Sequence, residues 1–347
     1  MATARRMDSP TLADVARRAG VTRLSAQRAL HGQPGVGEQT REKIQRIAKR
    51  LGYRPHWAAR AMRSGRLGCL ALLMSVERYR GFLEHELLGG MVAEASEHDY
   101  HLTVGTLPEE RATDAQYVPK ALRELLADGL LINYHFGIPP RMAELIEQHH
   151  IPAVWINTKR AWDCVHIDDL QAGRLATEHL LKLGHRRIAY VDYAHALDEL
   201  DQVHYSAIDR AAGYEEAMQQ VGLPSRVIWL PSKSLDTKHL EFTREWLAEP
   251  DRPTGLVMYS ALPAGAIALA ATSFGLRVPQ DISMVSVDWP RTKPFGLEMT
   301  VTMPQIAEMG RAAVRMLLEK IEAPGKRLRP RAIPAVLHEG GTCAPPT

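Results

Sequence analysis

The sequence predicts an all-α helix-turn-helix head followed by an α/β body of two doubly wound parallel-sheet units. Three observations carry this expectation. Three short amphipathic helical patterns, the first two joined across a glycine, fill the first fifty or so residues. From residue 68 onward, short apolar runs alternate with helical stretches, the pattern of strands wrapped by helices. The charge divides near the same point. Residues 1–66 hold fifteen Lys/Arg against four Asp/Glu, a net charge of +11, and the rest holds twenty-eight against thirty-six, a net −8. At 347 residues, 45% hydrophobic and 24% charged, the chain has room for two or three domains with sizeable cores.

In the head, Thr11 followed by Asp14 has the form of an N-cap with an acid three residues on. Leu12, Val15, Ala16 and Ala19 then make one apolar face, and Gly20 stops the helix. Val21 and Thr22 open a second helix. Its Ala26, Ala29 and Leu30 pack back on the first, which leaves Arg23, Leu24, Gln27 and Arg28 together on the outer side. After the 31–37 loop, Ile44, Ile47, Ala48 and Leu51 form the apolar stripe of a third helix, and Gly52 ends it. In a helix-turn-helix the second helix enters the major groove with its N-terminal residues on base edges. Arg23 and Arg28 suit bidentate contact with guanine, Gln27 suits adenine, and Leu24 a thymine methyl. Arg17, Arg18, Arg41, Lys43 and Arg46 are expected to meet phosphates.

In the body, residues 69–74, 128–132, 151–156, 187–191, 226–230, 255–259 and 282–287 read as buried strands. Amphipathic stretches lie near 83–97, 114–126, 140–149, 171–183, 209–221, 236–248 and 262–274. About ten strands over this length suit two parallel-sheet units, and ligands in such sheets bind beyond the carboxyl ends of the strands. The default ligand site is therefore the cleft between the units.

Several classes are excluded. Cys69, Cys164 and Cys343 lie far apart without metal-ligand spacing, so neither a disulfide framework nor a zinc site is expected. No apolar run approaches the ~20 residues of a membrane span, and no signal-like stretch follows Arg5 and Arg6, so a soluble protein of the cytoplasm is expected. There is no GxSxG, P-loop, GxGxxG or HExxH, so no enzyme and no cofactor is expected. The acidic stretch holding Asp192, His195, Asp198, Glu199, Asp201 and His204 reads as a solvated loop rather than a cation site. His149 and His150 read as a polar helix end.

The head segments TLADVARRAGV, TRLSAQRALHG, TREKIQRIAKRLGYRP and ARAMRSGR resemble the DNA-binding head of the lactose-repressor (LacI/GalR) family of bacterial transcription regulators. The resemblance implies that Arg23, Leu24 and Arg28 read bases. Thr22 and His31, at the two ends of the helix, complete the DNA-facing set of the head. Residues 55–64 resemble the family's hinge helix, which orders on DNA and pushes a leucine into the minor groove. Met62 stands at that position, with Arg60 beside it.

The body segments HIDDLQAGRLATEHLLKLGHRRIAYV, RAAGYEEAM, LRVPQDISMVSVD and EMGRAAVRMLL match recurrent family segments in order. They imply a dimeric, periplasmic-binding-protein-like clamp whose ligand changes how two DNA heads are held. By position, Arg210 and Asp288 match ligand-gripping residues. Asp168 and Asp169 are weaker candidates, and Tyr79 and Phe82 stand where aromatic contacts are common. Ser260, in place of a usual Asn, and Trp289 complete the candidate effector set. The replacement of Asn-Asp by Ser260-Ala261 and of Gln-Pro by Pro304-Gln305 implies a pocket less polar than a sugar site. Three alternatives follow: an aromatic or carboxylated metabolite, a sugar held differently, or no ligand.

The expected organisation is a head over 1–54, a hinge helix and linker over 55–66, and a ligand-binding and dimerisation body over 67–347 with crossovers near 166 and 298. The expected function is that of a homodimeric regulator, a repressor, binding double-stranded DNA at a near-palindromic operator under control of a small-molecule effector. The C-terminal residues carry no leucine heptad to join dimers. The alternative is a nonspecific or architectural DNA binder with a vestigial cleft. An enzyme using Asp168, Asp169 and Asp288 has no support in the sequence.

Overall fold

The computed structural model describes residues 10–53, 65–75, 83–106, 127–134, 140–197, 203–232, 238–288, 293 and 296–347. The chain divides between Gly68 and Cys69 into two compact units. In the first, α1 (Leu12–Ala19) opens on a capping box in which Thr11 and Asp14 satisfy each other's backbone N–H groups. Gly20 closes it at φ 69°, a left-handed position that glycine takes without strain. Next come α2 (Arg23–Leu30), capped by Thr22, and α3 (Glu38–Leu51). Val15, Ala16, Ala19, Ala26, Ala29, Ile44 and Ala48 form the buried core, with Leu12, Val21, Leu30, Val36, Ile47, Leu51 and Tyr53 around it. Alanines at the crossings let three short helices approach closely enough to share a core this small.

The second unit holds two six-stranded sheets. The first has the order β11-β5-β4-β3-β1-β2, built from β1 (Cys69–Met74), β2 (His101–Thr106), β3 (Gly129–Asn133), β4 (Ala153–Ile156), β5 (Cys164–Ile167) and β11 (Arg331–Ile333). All its pairings are parallel. The second has the order β12-β10-β9-β8-β6-β7, from β6 (Ile188–Ala196), β7 (Val227–Leu230), β8 (Gly255–Met258), β9 (Ser283–Ser286), β10 (Thr300–Pro304) and β12 (Ala335–His338). Only the β10–β12 pair is antiparallel.

Alternating side chains dress both faces of each sheet. Leu70 and Leu72 point to α4 (His85–Glu97) and α10 (Ile306–Glu322), whereas Ala71 and Leu73 point to α5 (Pro140–Gln148). In the second sheet, Tyr190, Val257 and Val285 meet α6 (Asp169–Lys182) and α7 (Tyr205–Gln220). Val191, Leu256 and Met258 lie on the other side with α8 (His239–Leu247) and α9 (Ala264–Ser273).

Two helix pairs pack so closely that only glycine fits at their crossings. A Cβ on Gly90 of α4 would stand 2.0 Å from the Ala307 carbonyl oxygen, and one on Gly213 of α7 would stand 2.0 Å from that of Leu170. Gly310 and Gly173 are the reciprocal contacts on α10 and α6. The two halves of the body thus repeat one packing device.

The chain passes between the sheets three times: after Ile167, after Pro304, and at Pro334 between β11 and β12. Two crossings were expected, near 166 and 298. The third is carried by strands of three and four residues, too short to leave a periodic signal. The strands β2, β5, β10, β11 and β12 were not anticipated. For β2 the reason is its place at the sheet edge, where an exposed pattern replaces an apolar run. The stretch expected to be helical at 114–126 and the hinge over 55–64 lie outside the described residues.

Candidate nucleic-acid interface and candidate ligand cleft

On α2, Arg23, Leu24 and Arg28 are exposed, Gln27 is half-buried, and Leu24 has 54% of its surface open to solvent. Ala26 and Ala29 are fully buried on the opposite side, so packing fixes which face is presented. Thr22 caps the helix through Ser25 N–H, and His31 is exposed at its end. Arg28 runs along the following loop. Its Nη1 lies 3.1 Å from where a Cβ on Gly35 would stand, so this glycine leaves room for the guanidinium.

Arg41, expected at a phosphate, instead turns inward. Its side chain is 18% exposed, and Nη2 donates to the Gln33 carbonyl at 3.1 Å, bracing the loop between α2 and α3. The sequence signal was its charge, which cannot distinguish an arginine facing solvent from one folded under a loop. Arg60 and Met62 lie outside the described residues.

In the body, groups that follow strands of both sheets converge on Arg210, in the second turn of α7. Its Nε donates to Asp169 Oδ1 at 2.6 Å, and Nη1 donates to the carbonyls of Tyr259 at 2.7 Å and Val287 at 3.3 Å. The guanidinium also lies 4.5 Å over the Tyr259 ring. Burial opposes its charge, but the adjacent Asp169 carboxylate more than offsets this, and its pKa is raised. The sites at the ends of β5, β8 and β9 are therefore tied through one cation.

A second chain of hydrogen bonds runs beside it. His204 Nε2 meets the Asn157 carbonyl at 2.8 Å, Nδ1 meets Ser206 Oγ at 2.8 Å, and Ser206 Oγ meets Tyr259 Oη at 3.0 Å. Because Nδ1 also accepts from Ser206 N–H, the neutral ring carries its proton on Nε2. Burial pushes the His204 pKa down to about 4, with the Asn157 carbonyl opposing and the Arg210 charge assisting. Tyr205 donates to Asn157 Oδ1 at 3.2 Å and meets His166 edge to face. Burial raises the pKa of Tyr205 and Tyr259, so both stay neutral phenols.

The predicted effector residues fall into four groups. Arg210 and Asp169 meet, with Asp169 only 1% exposed and its Oδ1 taken by the guanidinium. Asp168 serves α6 as its N-cap, accepting from Gln171 N–H at 3.0 Å. Asp288 accepts from Ala261 N–H at 2.9 Å, fixing the loop after β8, where Ser260 is half-buried. Tyr79, Phe82 and Trp289 lie outside the described residues.

Asp192 and His195 are not part of a solvated loop. Asp192 is fully buried, His195 is 17% exposed and paired to it at 2.9 Å, and the ring of His195 stands edge-on to Tyr259 at 4.7 Å. Asp198, Glu199 and Asp201 lie outside the described residues, and among the described ones no cluster of metal-ligating side chains forms. Nor is His204 in a solvated loop, since both its ring nitrogens are bonded internally and it caps α7. Sequence reasoning missed Asn157, His166, Tyr205, Ser206 and Tyr259. The available signal was that Ser206 precedes Arg210 by one helical turn and that Tyr259 directly follows a strand.

The comparisons decide the family. Residues 11–56 match the family described as "Bacterial regulatory proteins, lacI family", and residues 177–343 match the "Periplasmic binding protein-like domain". The chain belongs to the LacI family. It is similar to the HTH-type transcriptional regulator GntR of Pseudomonas aeruginosa, 29% identical over 335 residues, 93% of this chain and 92% of that one. It is also similar to the HTH-type transcriptional repressor PurR of Escherichia coli, 26% identical over 329 residues and 93% of each chain.

Among solved structures, the lac repressor dimer bound to operator and the anti-inducer ONPF matches with a TM-score of 0.72 at 21% identity, over 97% of this chain and 100% of that one. The transcriptional regulator CelR in complex with cellobiose matches with a TM-score of 0.61 at 23% identity, over 96% and 99%. At these identities both establish the fold. This LacI-family chain is thus a transcriptional regulator with the body of an effector-binding domain, and its relatives are regulators rather than enzymes. No helix among the described residues is long and apolar enough to cross a membrane.

Proposed function

We propose that this LacI-family regulator is a homodimeric repressor of the bacterial cytoplasm that binds a near-palindromic operator and releases or grips it according to a small molecule bound in the body. The observation that carries the reading is the outer face of α2, where Arg23, Leu24 and Arg28 stand exposed on a helix whose other face is locked by Ala26 and Ala29. Such a face suits base edges in the major groove, with guanine the natural partner of either arginine. The naming of PurR as a repressor and the operator-bound dimer of the lac repressor support the same reading.

Residues 1–54 would serve as the DNA head, 55–66 as the hinge with Arg60 and Met62 on DNA, and 67–347 as the effector and dimerisation body. Two-fold symmetry of the dimer would match that of the operator. The effector would sit against the Arg210 cluster, with Ser260 and Asp288 on the loops that border it and Tyr79, Phe82 and Trp289 completing its walls. Since Asp168 and Asp169 already have internal partners, they would hold the site's shape and leave ligand contact to the others. Effector and operator would then change each other's affinity by one common factor.

The test is selection of bound sequences from a random duplex pool, followed by salt titration of the winner against scrambled DNA. An enriched palindrome bound far more tightly than the scramble is expected. Equal affinity and equal salt slope for both DNAs would instead mark a nonspecific binder.

A further inference from the structure

The body carries a second concavity that shares no lining residue with the Arg210 cluster. Its volume is about 250 Å3, and it is bordered by α5, by the β4–β5 loop and by the segment that leaves α10. Trp155, 5% exposed, forms part of its floor, while Trp162 on the β4–β5 loop is 42% exposed. The Arg160 guanidinium lies 4.2 Å over the Trp155 ring. With Trp155 covered by this guanidinium, the exposed indole of Trp162 is the aromatic face that the concavity offers to a ring-shaped ligand, beside a rim of charged side chains.

The charges in this cavity are unequally satisfied. Lys320, only 6% exposed, is tied to Asp163 at 2.8 Å and to the Lys326 carbonyl at 2.9 Å, and the Lys326 ammonium is taken by Glu319. Arg160 and Arg327 have no carboxylate partner among the described residues, and Glu147 has no cation. Two free guanidinium groups less one free carboxylate leave a net charge of about one, which suits a monoanion. Guanidinium groups receive planar carboxylates by paired N–H donation. The volume falls below the roughly 300–1,000 Å3 of drug-sized sites, which limits the occupant to a single ring or little more.

We propose that this cavity is a ligand site, separate from the cleft, for a small aromatic monocarboxylate. The ring lies against Trp162 and the carboxylate faces Arg160 and Arg327.

The experiment is calorimetric titration of the full-length chain with benzoate and, in parallel, with benzamide, which has the same shape and no charge. Saturable binding of one benzoate per chain is expected, with benzamide weaker by about tenfold or more. Arg160→Ala and Arg327→Ala should each weaken benzoate by about tenfold, while Ser260→Ala at the cleft leaves it unchanged. Arg327 is exposed, so its variant tests the site without disturbing the fold. No saturable benzoate heat overturns the proposal, as does binding that survives both arginine variants or falls with Ser260→Ala.

Discussion

Arg210 and Asp169 form a buried ion pair, Nε to Oδ1 at 2.6 Å, with side-chain exposures of 12% and 1%. Removing one partner strands the other's charge away from water, which costs more than the pair contributes when intact. Asp169→Asn should therefore destabilise the body by about 3 to 5 kcal/mol. The double variant Asp169→Leu with Arg210→Met should lose markedly less. Urea unfolding of the three proteins at neutral pH checks this, and a double variant no better than Asp169→Asn would count against a stranded charge as the cause.

His204 gives the stability a pH dependence of defined sign. Its folded pKa, about 4, lies below the ordinary histidine value of 6.5, so the unfolded chain binds the extra proton first. The stability is thus complete above about pH 6.5 and falls as the pH drops toward 4, by about 2 kcal/mol after allowance for partial solvent access. His179 and His185, both lowered by burial, contribute with the same sign. His204 is the N-cap of α7, its side chain accepting from Ser206 N–H, so His204→Asn keeps a capping side chain and should flatten the acid limb in unfolding measured from pH 7 to 4.5. An unchanged slope would assign the dependence to the other two histidines.

Adjacent glycines on α4 should behave oppositely. A Cβ on Gly89 meets nothing within 4 Å, so Gly89→Ala should stabilise by about 0.5 to 1 kcal/mol through helix propensity. Gly90→Ala would drive a methyl against the Ala307 carbonyl and should cost about 3 kcal/mol or more. Thermal unfolding of both variants distinguishes the helix crossing from a general effect of glycine on helix stability.

On the DNA side, Arg28→Ala should cost about 1 to 3 kcal/mol and relax preference at one base pair per half-site. Lys43→Ala, exposed on α3, should weaken all sequences alike and lower the salt slope by about one. Competition binding against single-base operator variants reads both effects, and an unaltered base profile for Arg28→Ala would remove it from the reading face.

The head was legible from its residues because its information is local. The capping box of Thr11 and Asp14, the stops at Gly20 and Gly52, and the apolar stripes all act within one or two helical turns, and the charge asymmetry needs no fold at all. The buried strands of the body were legible for the same reason, since Leu70 to Leu73 or Leu256 to Met258 announce themselves by apolarity. What only the tertiary structure decided is which groups meet across long stretches of chain. Arg210 and Asp169 are 41 residues apart, and no spacing rule says that a carboxylate at the end of β5 will neutralise an arginine on α7. The inward turn of Arg41, the burial of Asp192 and His195, and the cavity joining Arg160 to Arg327 arise in the same way. Charge and residue type are written locally, but exposure and partnership are set by how distant elements pack.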